Sequence, residues 1–212
     1  MIAVTRGVVG LTGGIACGKS TAAALLRQWG ARHCDVDAVG HALWQPNSVA
    51  MAQAIATFGP TIVASDGSLD RKCLAAIVFS APQARLALNA IAHPPMVATV
   101  KEQVAQWASE DPSPAGVFVI DAALLFEMQL HDLCEETLAI TASSAVQIDR
   151  LMSVRGLTLA QAQARLDAQR SPQDWQRLVT TVFDNSGSLN EFTAQLAAWW
   201  RLSGGNCASA GH

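Results

Sequence analysis

The residues from Gly13 to Thr21 have the types and the spacing needed to bind the phosphates of a nucleotide. They fit the pattern G-x-x-x-x-G-K-[ST], in which glycines let the backbone turn tightly so that successive N–H groups point at phosphate oxygens. The Lys19 ammonium can then reach the β- and γ-phosphates, and the Ser20 hydroxyl can ligate Mg²⁺. The whole stretch is therefore predicted to bind nucleotide: Gly13, Gly14, Ile15, Ala16, Cys17, Gly18, Lys19, Ser20 and Thr21.

Cys17 lies inside this stretch, next to the start of the following helix. A helix N-terminus favours the thiolate, so we expect Cys17 to be alkylated unusually easily and to be protected by bound ATP. The alternative is that a small side chain is merely tolerated in a tight turn. The sequence leaves both interpretations open.

The stretch needs a strand before it and a helix after it, and the sequence supplies both. Val8–Leu11 is apolar and predicts a buried strand, while Thr21–Trp29 predicts a helix that Gly30 ends. This context favours a phosphate-binding P-loop over a glycine-rich turn that binds nothing.

Later apolar runs predict the rest of a parallel sheet. Val117–Asp121 ends in a carboxylate, as a Walker B strand does. Helices are expected between the strands and at Leu189–Leu202, so the fold class is α/β, a P-loop NTPase-type parallel sheet flanked by helices. The remaining predicted strands are 31–37, 136–141 and 180–184.

Asp35 and Asp37 stand at the end of the second predicted strand. The carboxyl ends of parallel strands line the ligand crevice, so an acid there faces the phosphates. Either residue can instead simply cap a helix beginning at Ala38. We favour Asp37 as the functional acid.

The sequence pattern changes at 46–114, where it predicts short helices at 48–58, 70–79 and 82–107. This block is too long for an ordinary crossover between strands, which indicates a helical insertion over the ligand crevice. Pro94 and Pro95 are expected to bend or restart the last of these helices, and Pro112 to Pro114 to end the block.

Four arginines lie at the end of the helix predicted at 143–152 and after it, in a chain of which only 15% of residues are charged. Such a cluster can be a solvated helix face, but in a P-loop protein it favours a lid at 155–170 that closes over the γ-phosphate. The four are Arg150, Arg155, Arg165 and Arg170.

The amino-acid composition limits the kinds of molecule that the protein is expected to bind. A formal net charge of −3 gives no basic field, which argues against nucleic acid. The five cysteines form no C-x-x-C pair, which argues against disulfides or a zinc site. Neither a signal peptide nor a membrane-spanning run is recognisable, so we expect a cytoplasmic protein that does not bind membranes.

Taken together, the motifs resemble the dephospho-coenzyme A kinase family, in the same order along the chain from about Val8 to Leu196. No Asn-Lys-x-Asp motif is present to favour a GTPase. The motifs that carry the resemblance are Gly10 to Thr21, Asp35-Val36-Asp37, Phe58-Gly59, Asp66 to Arg71, Leu88-Asn89 with His93-Pro94, Leu124-Leu125-Phe126-Glu127, Gln147 to Arg150, and Asp184-Asn185 with Gly187.

The resemblance implies a reaction and roles. Such enzymes transfer the γ-phosphate of ATP, with Mg²⁺, to the 3′-hydroxyl of dephospho-CoA ribose, the last step of coenzyme A synthesis. Asp37 would be the base and, with Ser20, a metal ligand; Lys19 and Arg150 would act on the transferring phosphate. Arg155 and Asn185 would bind ATP. The acceptor would contact Asp37, Arg71, Asn89, His93, Leu124, Phe126 and Glu127, although His93 can equally be a buried structural histidine.

The resemblance also implies boundaries. The nucleotide-binding core would comprise 1–45, 115–154 and 171–202, with the CoA-substrate domain at 46–114, the lid at 155–170 and a disordered tail at 203–212. Ala123 and Val179-Thr180 depart from the family pattern, in which Pro and Ala-Asp are usual. Another P-loop nucleoside or nucleotide kinase, or a regulatory module without turnover, are the alternatives, and a monomer is favoured.

Overall fold

The computed structural model describes residues 7–110 and 116–203. The chain divides into two compact units: residues up to 34 together with those from 106 onward form the first unit, and 35–105 form the second. The predicted end of the helical block at Pro112 to Pro114 lies outside the described residues, as does the predicted tail beyond Ser203.

The first unit is built on a five-stranded parallel sheet with the strand order β2-β3-β1-β4-β5. β1 is the central strand and pairs in parallel with β3 on one side and β4 on the other. The predicted α/β fold class is therefore confirmed. The strands are β1 Gly7–Gly13, β2 Arg32–Asp35, β3 Val117–Asp121, β4 Glu136–Thr141 and β5 Thr181–Asp184.

Helices cover the sheet and form the second unit. Most begin at a Ser, Thr or Asp whose side chain accepts a hydrogen bond from the first turn, which satisfies a backbone N–H that has no partner inside the helix. The helices are α1 Lys19–Gln28, α2 Val36–Ala42, α3 Val49–Phe58, α4 Arg71–Ser80, α5 Pro82–Glu110, α6 Ser144–Arg155, α7 Leu159–Asp167, α8 Pro172–Leu178 and α9 Leu189–Leu202.

The core of the first unit lies between one sheet face and α1 with α9. Val9 and Leu11 on β1 point to this face together with Val119 on β3, because side chains alternate along a strand. Trp199 and Trp200 of α9 close the cluster. This packing anchors both ends of the segment that joins β1 to α1.

One prediction about local structure is wrong, and a second is wrong in part. Asp37 is not the end of an extended strand: β2 ends at Asp35, whose carboxylate accepts a hydrogen bond from Ala38 N at 3.0 Å and starts α2 at Val36. Of the bend or restart predicted at Pro94 and Pro95, the restart does not occur, because both prolines lie inside α5; the bend stays a prediction. Each proline lacks the N–H that would bond the carbonyl four residues earlier. The helical residues on both sides of the prolines keep the helix continuous.

Candidate active site

The segment between β1 and α1 adopts a tight turn that brings backbone groups close to neighbouring side chains. Gly18 has φ 94°, and a Cβ atom added there would collide with the Asn185 amide. Ala16 also lies in the left-handed region, with φ 55°, which is uncommon for a residue with a side chain. Strained backbone of this kind persists only where the surroundings hold it in place.

Lys19 is the first residue of α1, and its ammonium group forms an ion pair with Asp121, the last residue of β3. The other carboxylate oxygen of Asp121 lies 3.2 Å from His33 Nε2. The Asp121 side chain is only 8% exposed and that of Lys19 20%. A cation is therefore fixed at the start of α1, close to the end of the central strands.

Side chains from α6 and from the end of β5 hold the backbone carbonyls of the loop. Gln147 and Arg150 lie one turn apart on α6 and share a face of that helix. We call Gln147, Arg150 and Asn185 the carbonyl brace. Its bonds run from Gln147 Nε2 to the Ile15 oxygen at 2.8 Å, from Arg150 Nη1 to the Ala16 oxygen at 3.1 Å, and from Asn185 Nδ2 to the Cys17 oxygen at 2.8 Å.

A further side chain binds a backbone N–H group of the loop. Gln169 lies just after α7, and its Oε1 accepts a hydrogen bond from Ile15 N at 2.8 Å. Gln169 Nε2 donates to the Arg165 oxygen at 3.2 Å. The end of the predicted lid is thus bonded to the phosphate loop in this structure.

A pocket of about 250 Å³ opens beside the loop. Its lining includes Gly14 and Cys17 from the loop, Gln147 from α6, and residues of α7 and α8 such as Gln163 and Trp175. Polar and apolar groups share this lining, so the pocket can accept a ligand that carries both a charged and an aromatic part.

Burial raises the pKa of the Cys17 thiol to about 11. The side chain is 2% exposed, and Gln147 Nε2 lies 3.1 Å from its sulfur. The expected thiolate is therefore wrong: loss of solvation outweighs the favourable field of the helix N-terminus. A neutral thiol in the loop also spares bound phosphates a repulsive charge.

The Leu124 to Glu127 segment follows β3 as a turn in the first unit. Leu124 is 43% exposed. The Phe126 ring lies 4.7 Å from the His131 ring, and Glu127 accepts a hydrogen bond from Arg170 Nη2 at 2.7 Å. The structure thus joins this segment to the far end of the predicted lid.

The other predicted acceptor residues lie in the second unit. Asp37 is exposed in the first turn of α2, and Arg71 is the exposed first residue of α4. Asn89 and His93 are half-buried on α5, one turn apart and therefore on the same face. Arg155, predicted to bind ATP, is the exposed last residue of α6 in the first unit, and Ser20 is exposed on α1.

Sequence reasoning missed three polar contacts of the loop region: His33, Gln147 and Gln169. Gln147 lies in a motif that carried the resemblance, and its spacing of three from Arg150 was the available signal. His33 and Gln169 gave no comparable signal, because their partners are 88 and 154 residues away in the sequence.

The central strand, the phosphate loop and the lysine at the start of the following helix define a P-loop kinase. The sequence profile of the dephospho-CoA kinase family matches residues 7–191. The chain therefore belongs to the dephospho-CoA kinase family, and the predicted family and enzyme class are confirmed.

Named relatives agree with this assignment. The dephospho-CoA kinase of Symbiobacterium thermophilum is 40% identical, over 93% of this chain and 82% of its own. The dephospho-CoA kinase of Moorella thermoacetica is 38% identical, over 92% and 91%. The crystal structure of TT1252 from Thermus thermophilus matches with a TM-score of 0.76 and 31% identity, over 93% of this chain and 98% of its own.

No helix in the described ranges is both long enough and apolar enough to span a membrane.

Proposed function

We propose that this chain phosphorylates the 3′-hydroxyl of dephospho-CoA ribose with ATP, giving coenzyme A and ADP. Membership of the dephospho-CoA kinase family supports this activity, the last step of coenzyme A synthesis. The observation that supports this activity most directly is the structure of the phosphate loop. Lys19 is held by an ion pair at the start of α1, and the carbonyl brace binds the loop carbonyls.

The loop would bind the ATP phosphates through its backbone N–H groups and the N-terminus of α1. Lys19 would exchange its Asp121 carboxylate for phosphate oxygens, which keeps the ammonium paired in both states. As charge develops on the transferring phosphate, a positioned cation lowers the barrier, because it needs no reorganisation. Arg150 and Arg155 would add positive charge on the α6 side, and Asn185 would lie beside the nucleotide.

Asp37 is proposed as the base that receives the proton of the ribose hydroxyl. Its carboxylate is exposed in the first turn of α2, where a substrate can reach it. Asp35 is less suited to this role, because its carboxylate already accepts the hydrogen bond that caps α2. A ribose hydroxyl is too weak an acid to ionise alone near neutral pH, and a positioned base contributes about 10² to 10⁴-fold.

The predicted acceptor contacts are proposed for each unit by itself. In the second unit they are Arg71, Asn89 and His93, and in the first unit Leu124, Phe126 and Glu127. Arg71 supplies a charge suited to the acceptor's phosphates, and the exposed Leu124 an apolar surface. A cation and an apolar surface are groups that suit a ligand with phosphates and a long organic arm.

Mg²⁺ is proposed to join the reaction through oxygen ligands, which this ion prefers. Ser20 offers an exposed hydroxyl on α1, and Asp37 an exposed carboxylate on α2. Each of these oxygen groups is of a kind that suits Mg²⁺ as a partner of ATP. When bound, the ion would neutralise phosphate charge.

We further propose that 155–170 acts as a lid, that 46–114 binds dephospho-CoA, and that the protein works as a cytoplasmic monomer. The link between Gln169 and Ile15 N supports the lid, because it brings the end of this segment onto the loop.

A coupled assay of ADP release tests the function. We expect turnover with dephospho-CoA to exceed turnover with nucleoside monophosphates by more than about a hundredfold. A preference for a monophosphate would favour another P-loop nucleotide kinase. ATP binding without turnover on any acceptor would favour a regulatory module.

A further inference from the structure

The carbonyl brace acts on the backbone of the loop through its oxygens. In a trans peptide unit the C=O of one residue and the N–H of the next point in opposite directions, and the loop peptides are trans. Fixing the Ile15 and Cys17 carbonyls against α6 and Asn185 therefore aims the N–H groups of Ala16 and Gly18 the other way. Those N–H groups are the ones that a phosphate needs.

The intervening peptide unit is held as well. Arg150 binds the Ala16 oxygen, and Cys17 N closes a turn to the Gly14 oxygen at 3.4 Å. Ala16 at φ 55° is strained, so this backbone needs outside support to persist. A peptide that turned over would present a carbonyl oxygen, which repels phosphate, in place of an N–H.

Gln147 is the uncharged member of the brace that lies on α6. Its Nε2 bonds the Ile15 oxygen and contacts the Cys17 sulfur, so its donor group is engaged on the loop. Without a charge it adds little direct attraction for phosphate. Although Gln147 also lines the pocket beside the loop, its contribution to the binding of the phosphates passes through the shape of the loop.

We propose that Gln147 is a positioning residue for nucleotide binding, which holds the Ile15 carbonyl outward so that the loop amides face the phosphates. The proposal rests on the proposed function only in requiring that a nucleoside di- or triphosphate binds this loop. It assigns Gln147 no contact with the phosphates.

Gln147→Leu tests the proposal, since leucine has a similar volume and no donor. We expect the affinity for ADP, measured by calorimetry, to fall about tenfold, the effect of one lost hydrogen bond that leaves a carbonyl unpaired. Inhibition by inorganic tripolyphosphate should weaken by a similar factor, because this ion uses the loop alone. The KM for dephospho-CoA should stay close to that of the parent protein, and the lost hydrogen bond should lower the thermal midpoint by no more than about 6 °C.

Gln147→Glu keeps the shape of the side chain but replaces the donor by a charged acceptor, so a larger loss of about a hundredfold is expected. The matched control is Gln173→Leu, the same change at an exposed site on α8, which should leave ADP affinity unchanged. If Gln147→Leu does not fold, Gln147→Asn, which is too short to reach Ile15, takes its place.

ADP affinity within twofold of the parent in both Gln147 variants would overturn the proposal. A drop in thermal midpoint without loss of affinity would also overturn it, since the role would then be structural only. If the control Gln173→Leu lost as much ADP affinity as Gln147→Leu, the proposal would also be overturned. These titrations contain no acceptor, so a parent protein that fails to phosphorylate dephospho-CoA would count against the proposed function and not against this one.

Discussion

The ion pair between Lys19 and Asp121 predicts that the P-loop lysine supports the fold as well as the chemistry. Lys19→Ala leaves the 8%-exposed Asp121 carboxylate with His33 as its remaining described partner. Losing one partner of a fully buried pair costs about 3 to 5 kcal/mol. Lys19 is partly solvated and His33 stays in place, so we expect about 1 to 3 kcal/mol here.

The expected loss corresponds to a fall of roughly 3 to 10 °C in the thermal midpoint for a chain of this size. Phosphoryl transfer should fall by at least about a hundredfold, because the cation beside the transferring group is gone. The measurements are differential scanning fluorimetry and the coupled ADP assay. Lys101→Ala, at an exposed site on α5, is the matched control for loss of a lysine.

A double variant separates the two effects. Adding Asp121→Asn to Lys19→Ala removes the unpaired charge, so most of the lost thermal midpoint should return while activity stays absent. If Lys19→Ala has the parent midpoint, or if the double variant is the less stable of the two, the pair does not support the fold and the reasoning fails.

Three further predictions concern reactivity, the base and the lid. Cys17 should react with iodoacetamide more slowly than the half-buried Cys73 at pH 8, and its rate should rise as the pH approaches 11, because its raised pKa keeps the thiol protonated. Asp37→Asn should lower turnover by at least about a hundredfold with little change in ATP affinity, whereas Asp35→Ala should mainly lower stability, by about 1 kcal/mol, through loss of the cap. A non-hydrolysable ATP analogue should protect the arginines of 155–170 from trypsin.

Each of these predictions has a result that would contradict it. Peptide mapping that finds Cys17 modified as fast as Cys73 would show that burial does not control the thiol. Near-normal turnover of Asp37→Asn at saturating Mg²⁺ and dephospho-CoA would remove the base assignment. Equal cleavage at 155–170 with and without nucleotide would argue against a mobile lid.

The sequence predicted the sheet best where strands are apolar and bounded by clear turn signals. The bounds predicted for β3 and β4 are those observed, and α9 also matches. A parallel strand buried on both faces has few alternative structures, so its composition is decisive. The phosphate loop was equally clear, because its glycines and lysine stand at fixed spacing.

Elsewhere local pattern was a poorer guide. The segment holding α7 and α8 was interpreted from its arginines, and the capping boxes with which Thr158 and Ser171 begin helices were overlooked. Asp37 was predicted to end a strand, because the segment between α1 and Asp37 is too short to show where that strand stops. In the structure the strand ends at Asp35, which caps α2. The Cys17 prediction failed because a dipole argument does not include burial, which depends on side chains far along the chain.

The brace has a consequence for the order in which the protein assembles during synthesis. The loop leaves the ribosome before its carbonyl partners, which follow 132, 134 and 168 residues later. Contacts of such long range form late, since the intervening chain must first be ordered. A nascent chain that stops before Asn185 should therefore not retain ADP, and the ability to bind nucleotide should appear only when β5 has joined the sheet.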